Sequence, residues 1–196
     1  MNIKFDYTLK QDEVDFGFIE GDKKIVFIKV GLGGDFLGYE DRYLKMALRI
    51  REMYGCSVII ASNPHDGRSR AEIDKQVIEE YIAERGIVFP ELFFFGHSNG
   101  GIKGLELTDA GVTFRRMVLI NMPLMINFHK TKRFIAQMPE TKIAAVYGER
   151  DPSFPYLPFL RGKFHNLKVL TVPNADHNFE GMTEEFIKLG DMIFEE

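Results

Sequence analysis

The stretch Leu92-Phe93-Phe94-Phe95-Gly96-His97-Ser98-Asn99-Gly100-Gly101 decides how the rest of the chain is read. Leu92 to Phe95 has the composition of a short buried strand. Gly-x-Ser-x-Gly follows without a spacer, and Ile102 to Asp109 continues as a helix. The five-residue motif alone is a weak signal. Its setting carries more information, because a strand–turn–helix corner is what holds a serine at a strained backbone position with small residues on either side. The serine oxygen then stands above the sheet edge, and the next backbone N–H, that of Asn99, faces the charge that develops during attack on a carbonyl. Phe93, Phe94 and Phe95 read as core, and His97 as a packing or hydrogen-bonding residue within the turn.

Outward from this corner the chain alternates. Residues 2–8 and 13–20 read as two short strands around the turn-prone Lys10-Gln11-Asp12-Glu13, and Lys24 to Val30 as a strand buried on both faces. Tyr39 to Tyr54 is predicted as a helix ended by Gly55, Cys56 to Ala61 as a strand, and Ala71 to Arg85 as a helix ended by Gly86. Beyond the corner come a strand over Arg116–Ile120, a helix over Phe128–Gln137 and a strand over Lys142–Tyr147. A short helix or turn over Leu157–Gly162, a strand over Leu167–Val172 and a helix over Thr183–Phe194 capped by Thr183 complete the chain. Two short strands followed by repeated β–α units predict an α/β fold: a mostly parallel, doubly wound sheet with an antiparallel N-terminal hairpin, in one domain spanning residues 1–196.

Composition bounds the function. With 196 residues, a net charge of −4 and scattered positive residues, nothing suggests a nucleic-acid footprint. Cys56, the single cysteine, excludes an internal disulfide and reads as a small core residue. The longest apolar candidate, Met117 to Phe128, is broken by Asn121, Pro123 and Asn127, so no membrane span is expected, and the absence of a signal-peptide pattern points to the cytoplasm. Gly31-Leu32-Gly33-Gly34 is no dinucleotide fingerprint, since Phe36 stands at the third glycine position and Ser62 where an acidic residue would close the next strand. His65, His129 and His165 are isolated, and neither a metal site nor a cofactor is expected. The sequence carries no signal of oligomeric state.

In doubly wound folds reactive groups gather beyond the carboxyl ends of the strands. There the chain offers Ser98, then Asp151 in Gly148-Glu149-Arg150-Asp151, then His177 in Asn174-Ala175-Asp176-His177-Asn178-Phe179. A serine hydroxyl is too weakly acidic to attack a carbonyl at neutral pH unless an imidazole takes its proton, and a carboxylate on the second ring nitrogen orients that imidazole. Asp151 is preferred to Asp176 because a sequence neighbour of the histidine points away from it.

Taken with Val30-Gly31-Leu32-Gly33-Gly34 after the third strand and Ser62-Asn63-Pro64-His65-Asp66-Gly67-Arg68-Ser69 after the fourth, these motifs resemble, in order and over nearly the whole chain, the α/β hydrolases. The resemblance implies an oxyanion hole made by the backbone N–H groups of Leu32 and Asn99. It implies a serine hydrolase acting on a small-molecule acyl ester or thioester; peptidase chemistry and a non-catalytic ligand- or partner-binding protein of the same fold stay open. Two departures matter. Val30 stands where the family usually has a histidine that buttresses the loop. Only Asn121 to Thr141 lies where many relatives insert a lid, so an open site without a cap domain is expected. Phe36, Tyr39, Pro123, Leu124, Met125, Phe128 and Phe154 are candidate walls of the substrate pocket.

Overall fold

Alternate side chains on a strand point to opposite faces, and in this chain both faces are apolar. The computed structural model, which describes residues 4–195, has eight strands: β1 (Tyr7–Gln11), β2 (Val14–Ile19), β3 (Asp22–Lys29), β4 (Cys56–Ala61), β5 (Glu91–His97), β6 (Arg116–Ile120), β7 (Lys142–Gly148) and β8 (Leu167–Val172). They form one sheet in the order β1-β2-β4-β3-β5-β6-β7-β8. β1 pairs with β2, and β2 with β4, antiparallel; every other pairing is parallel.

Helices cover both faces. α1 (Arg42–Tyr54) and α5 (Thr183–Lys188) bury Tyr43, Ala47, Ile50 and Phe186 against Val26, Ile28, Phe93 and Phe95. α2 (Ala71–Glu84), α3 (Asn99–Asp109) and α4 (Leu124–Gln137) cover the other face, where Val77, Ile102, Leu105 and Phe134 meet Phe27, Phe94 and Leu119. The three consecutive phenylalanines before the corner thus divide between the two cores. Among the described residues no helix is long and apolar enough to cross a membrane.

Several boundaries differ from the sequence expectation. The first strand starts at Tyr7; of its predicted range, residues 2 and 3 lie outside the described residues, and Lys4 to Asp6 are not strand. Asp12 and Glu13, both at positive φ (46° and 67°), make a two-residue turn whose backbone twist suits a hairpin. Residues Tyr39–Asp41 are a 3₁₀ turn ahead of α1. α4 begins at Leu124, four residues before its predicted start, and absorbs Asn127 in a non-helical conformation (φ −125°, ψ 15°), which is why the pattern looked interrupted there. The short segment after β7 is a 3₁₀ helix over Phe154–Phe159, ahead of the predicted range. Thr183 is the first residue of α5, preceded by Met182 as the cap; its hydroxyl donates to Glu40 Oε2 at 2.5 Å. The predicted last helix changes after Lys188 into a 3₁₀ segment, Leu189–Ile193.

Candidate active site

Ser98 sits between β5 and α3 at φ 54°, ψ −127°, a backbone conformation that costs a non-glycine residue about 1–3 kcal/mol and persists only where its surroundings impose it. Here the glycines do so. A Cβ on Gly100 would fall 2.1 Å from the Lys29 carbonyl oxygen, and one on Gly96 would fall 2.8 Å from Gly101 Cα. Glycine at both positions lets α3 lie against the ends of β3 and β5. The Ser98 N–H donates to the Ile120 carbonyl at 2.7 Å, fastening the turn to β6.

His177 reaches the serine from the loop after β8. Its Nε2 stands 2.8 Å from Ser98 Oγ, and its Nδ1 stands 2.5 Å from Asp151 Oδ2. An Nδ1–H donated to the carboxylate leaves Nε2 free to accept the serine proton. The Asp151 side chain is completely buried, and its second oxygen accepts the Ser153 N–H at 2.7 Å; the imidazole is 36% exposed. Asp176, the competing acid, turns away: its Oδ1 accepts the N–H groups of Asn178 and Glu180, which hold its carboxyl below the usual range. Three side chains separated by up to 79 residues therefore meet at one rim.

The His177 carbonyl is held from two sides. Asn121 Nδ2 donates to it at 2.9 Å, and His97 Nε2 donates to it at the same distance. Asn121, at the end of β6 with φ 46°, also donates to the Asp176 carbonyl and accepts the Gly148 N–H at the end of β7. His97 accepts from the Tyr43 hydroxyl at Nδ1 over 3.0 Å; burial, and then the neighbouring Arg42, lower its pKa to about 3, so the ring is neutral. Arg42 adds a third tie, donating to the Asn178 carbonyl at 2.6 Å with its guanidinium 4.3 Å from the Phe186 ring centre. Sequence reasoning placed His97 here as a hydrogen-bonding residue and missed Asn121 and Arg42. An asparagine that breaks an apolar run at a strand end was the one available signal.

The glycine-rich loop after β3 lies directly over the serine: a Cβ on Gly31 would sit 3.4 Å from Ser98 Cβ. The Gly34 N–H closes a turn on the Gly31 carbonyl at 2.9 Å, with Gly33 at φ 72° and the Leu32 N–H left out of the turn's own hydrogen bond. Asn99 opens α3, where the first N–H groups have no carbonyl inside the helix. Val30, in the place of the expected histidine, is fully buried in the core beneath α1. The polar brace comes from Asn63 instead: its amide donates to the Val30 carbonyl at 3.1 Å and to Asn99 Oδ1 at 3.2 Å, and its own carbonyl accepts the Gly33 N–H at 2.6 Å.

The candidate pocket walls fare unevenly. Phe128 lines an open groove of about 430 Å³ between α4 and the 3₁₀ segment after β7, together with Met125, Ile126, Tyr156 and Phe159. Pro123 is half-buried just ahead of α4. Leu124 is no wall: its side chain is fully buried in the core, and its N–H donates to Ser153 Oγ at 3.0 Å. Phe154 and Phe36 pack against the two cores, Phe36 beside Phe5, and Tyr39 stands out in solvent.

Neither a protein-family model nor a curated protein matches this sequence. The structure, however, is similar to many solved ones. Est1E from Butyrivibrio proteoclasticus aligns with a TM-score of 0.73 at 13% identity over 96% of both chains. XC6422 from Xanthomonas campestris, described as an α/β serine hydrolase without lid, aligns at 0.69 and 16% identity over 96% of this chain and 93% of the other. A thioesterase domain from the curacin biosynthetic pathway aligns at 0.64 and 12% identity over 96% and 98%. The chain has the α/β-hydrolase fold, without a cap domain among the described residues. Its sheet order, its helices and the single helix between β6 and β7 fit that fold throughout.

Proposed function

We propose that this protein is a serine hydrolase that cleaves a carboxylic ester or thioester through an acyl-enzyme on Ser98. The observation that carries the reading is the unbroken hydrogen-bonded line from Asp151 Oδ2 through the His177 ring to Ser98 Oγ, at 2.5 and 2.8 Å. Ser98 Oγ attacks the acyl carbon while His177 Nε2 takes its proton. Asp151 fixes the ring and stabilises the imidazolium. The carbonyl oxygen, now negative, is received by the N–H groups of Leu32, in the loop over the serine, and of Asn99, the residue after it. His177 then hands its proton to the departing alcohol or thiol, the C–O or C–S bond breaks, and the acyl group remains on Ser98. A water deprotonated by His177 attacks that ester, and collapse returns the proton to Ser98 Oγ and releases the acid. No step calls for a cofactor. The similarity to a solved thioesterase domain keeps the thioester class beside the ester class.

A fluorophosphonate probe tests the reading. Labelling at Ser98 is expected, with loss in Ser98→Ala and in His177→Ala. A folded protein that never labels would overturn the enzyme reading in favour of a ligand-binding protein of this fold. Comparing kcat/KM over p-nitrophenyl esters, acyl-CoA thioesters and aminoacyl amides then assigns the leaving group.

A further inference from the structure

Charge is divided across the mouth of the site. On one lip, α4 and residues 154–166 together hold Lys130, Lys132, Arg133, Arg161 and Lys163 and no aspartate or glutamate, in a chain whose net charge is −4. Lys130 is paired with Glu106; the other four form no ion pair among the described residues. On the facing lip, residues 35–41 and 180–185 hold Asp35, Glu40, Asp41, Glu180, Glu184 and Glu185 and no lysine or arginine, and the two segments touch through Thr183 and Glu40.

Three apolar side chains protrude from the basic lip, against Tyr39 alone from the acidic one. Met125, Ile126 and Phe159 are 54%, 80% and 59% exposed. They border the open groove that holds Phe128, whose ring meets Phe159 at 6.1 Å and the Lys132 ammonium at 5.4 Å. On the helix, Met125, Ile126, His129 and Arg133 recur at three- and four-residue intervals and are exposed, so apolar tips and basic groups share the outward face of α4. α4 leaves the carboxyl end of β6, and the 3₁₀ segment follows Asp151 at the end of β7, so this face borders the rim where Ser98 and His177 meet.

We infer that the α4 face docks the protein on an anionic lipid surface. Protruding apolar tips with Lys132 and Arg133 farther along the same helix suit the boundary between headgroups and acyl chains: the tips enter the apolar layer while lysine and arginine meet the headgroup charge. The acidic lip, repelled by the same surface, tilts outward, so the molecule lands edge-on with the groove against the lipid. In that pose an amphiphile's chain passes from the surface into the groove and its ester reaches Ser98. The inference rests on the proposed hydrolase reading only for what the docking achieves; the docking itself is measured without turnover.

The test uses the full-length Ser98→Ala protein in sedimentation with vesicles of phosphatidylcholine, with or without phosphatidylglycerol, at about 0.15 M salt. Tighter partitioning to the anionic vesicles is expected, weakening about fivefold for each cation removed in Lys132→Gln and Arg133→Gln and more steeply in Ile126→Asp. Arg116→Gln with Lys142→Gln, at the opposite ends of the strands, is the matched control and should bind as its parent does. All these side chains except those of Arg116 and Lys132 are solvent-exposed, and circular dichroism checks that each variant is folded. Equal partitioning to both vesicle types, or equal loss in the control, would overturn the inference. So would binding to polyglutamate with none to vesicles, which would assign the face to an acidic protein partner.

Discussion

His97 lies under the candidate catalytic histidine, and replacing it with phenylalanine tests whether that neutral ring organises the site. The substitution keeps a planar ring against Phe186, 5.3 Å away between centres, and removes both polar contacts. The Tyr43 hydroxyl, buried, loses its acceptor, at about 1–3 kcal/mol; the His177 carbonyl loses one of two donors and keeps Asn121, at about 1 kcal/mol. His97→Phe should therefore be about 3 kcal/mol less stable at pH 7.5.

That gap should close in acid. Burial lowers the His97 pKa to about 3 in the folded protein, against about 6.5 in the unfolded chain. The unfolded state then binds the extra proton first, so the stability associated with this group is complete above pH 6.5 and is lost as pH falls towards 3. By pH 5 the loss is about 2 kcal/mol, 1.5 pH units at 1.36 kcal/mol each. The phenylalanine variant has no such term, so the difference between the two proteins should shrink from about 3 to about 1 kcal/mol. Urea denaturation followed by far-UV circular dichroism measures it, since the chain has no tryptophan. A gap that stays constant to within about 0.5 kcal/mol between pH 7.5 and 5 would refute a buried, neutral His97; a gap that widens would reverse the sign of the reasoning.

Three further outcomes follow from other parts of the molecule. Lys29 and Asp74 form a buried pair at 2.9 Å between β3 and α2, so Lys29→Met alone should cost about 3–5 kcal/mol by orphaning the carboxylate. Lys29→Met with Asp74→Leu should recover most of that loss in the same denaturation assay. Asp151→Asn should leave the fold intact and slow fluorophosphonate labelling of Ser98 by roughly 10³–10⁴, through loss of the ring orientation that the carboxylate imposes. Cys56, buried with its thiol pushed up to about 12, should resist alkylation at pH 8 in the native protein and react at once in urea.

The order of elements was legible because burial writes itself into residue type. Strands such as Ile25–Ile28 and Phe93–Phe95 are apolar on both faces, and glycines mark the ends of α1 and α2. Ser98, Asp151 and His177 were legible because each follows a strand, and topology sends the carboxyl ends of parallel strands to one rim. What escaped was contact between residues with no sequence signature of their own. Asn121 and Asn63 look like loop formers until their amides are seen linking adjacent strand ends. Asp74, in a helix of several acidic residues, is told apart only by Lys29 opposite it. Leu124 carries no mark in the sequence that sets it apart from the exposed Met125 beside it, yet its side chain is fully buried in the core.

An uncovered site places its own demand on these bracing residues. Where a lid closes over a substrate, the closure can complete the arrangement of reacting groups; with one helix between β6 and β7, no such element stands among the described residues. Geometry must then be set before the substrate arrives, and long loops alone set it poorly. The His177 loop is fixed by groups from outside it: His97 at the end of β5, Asn121 at the end of β6, and Arg42 at the start of α1. β5 also carries Ser98, and the end of β7 bonded to Asn121 leads directly to Asp151. His177, Ser98 and Asp151 are thereby referred to three neighbouring strands, whose spacing the sheet's hydrogen bonds hold. In this fold the precision of an open site comes from buried polar side chains at the strand ends.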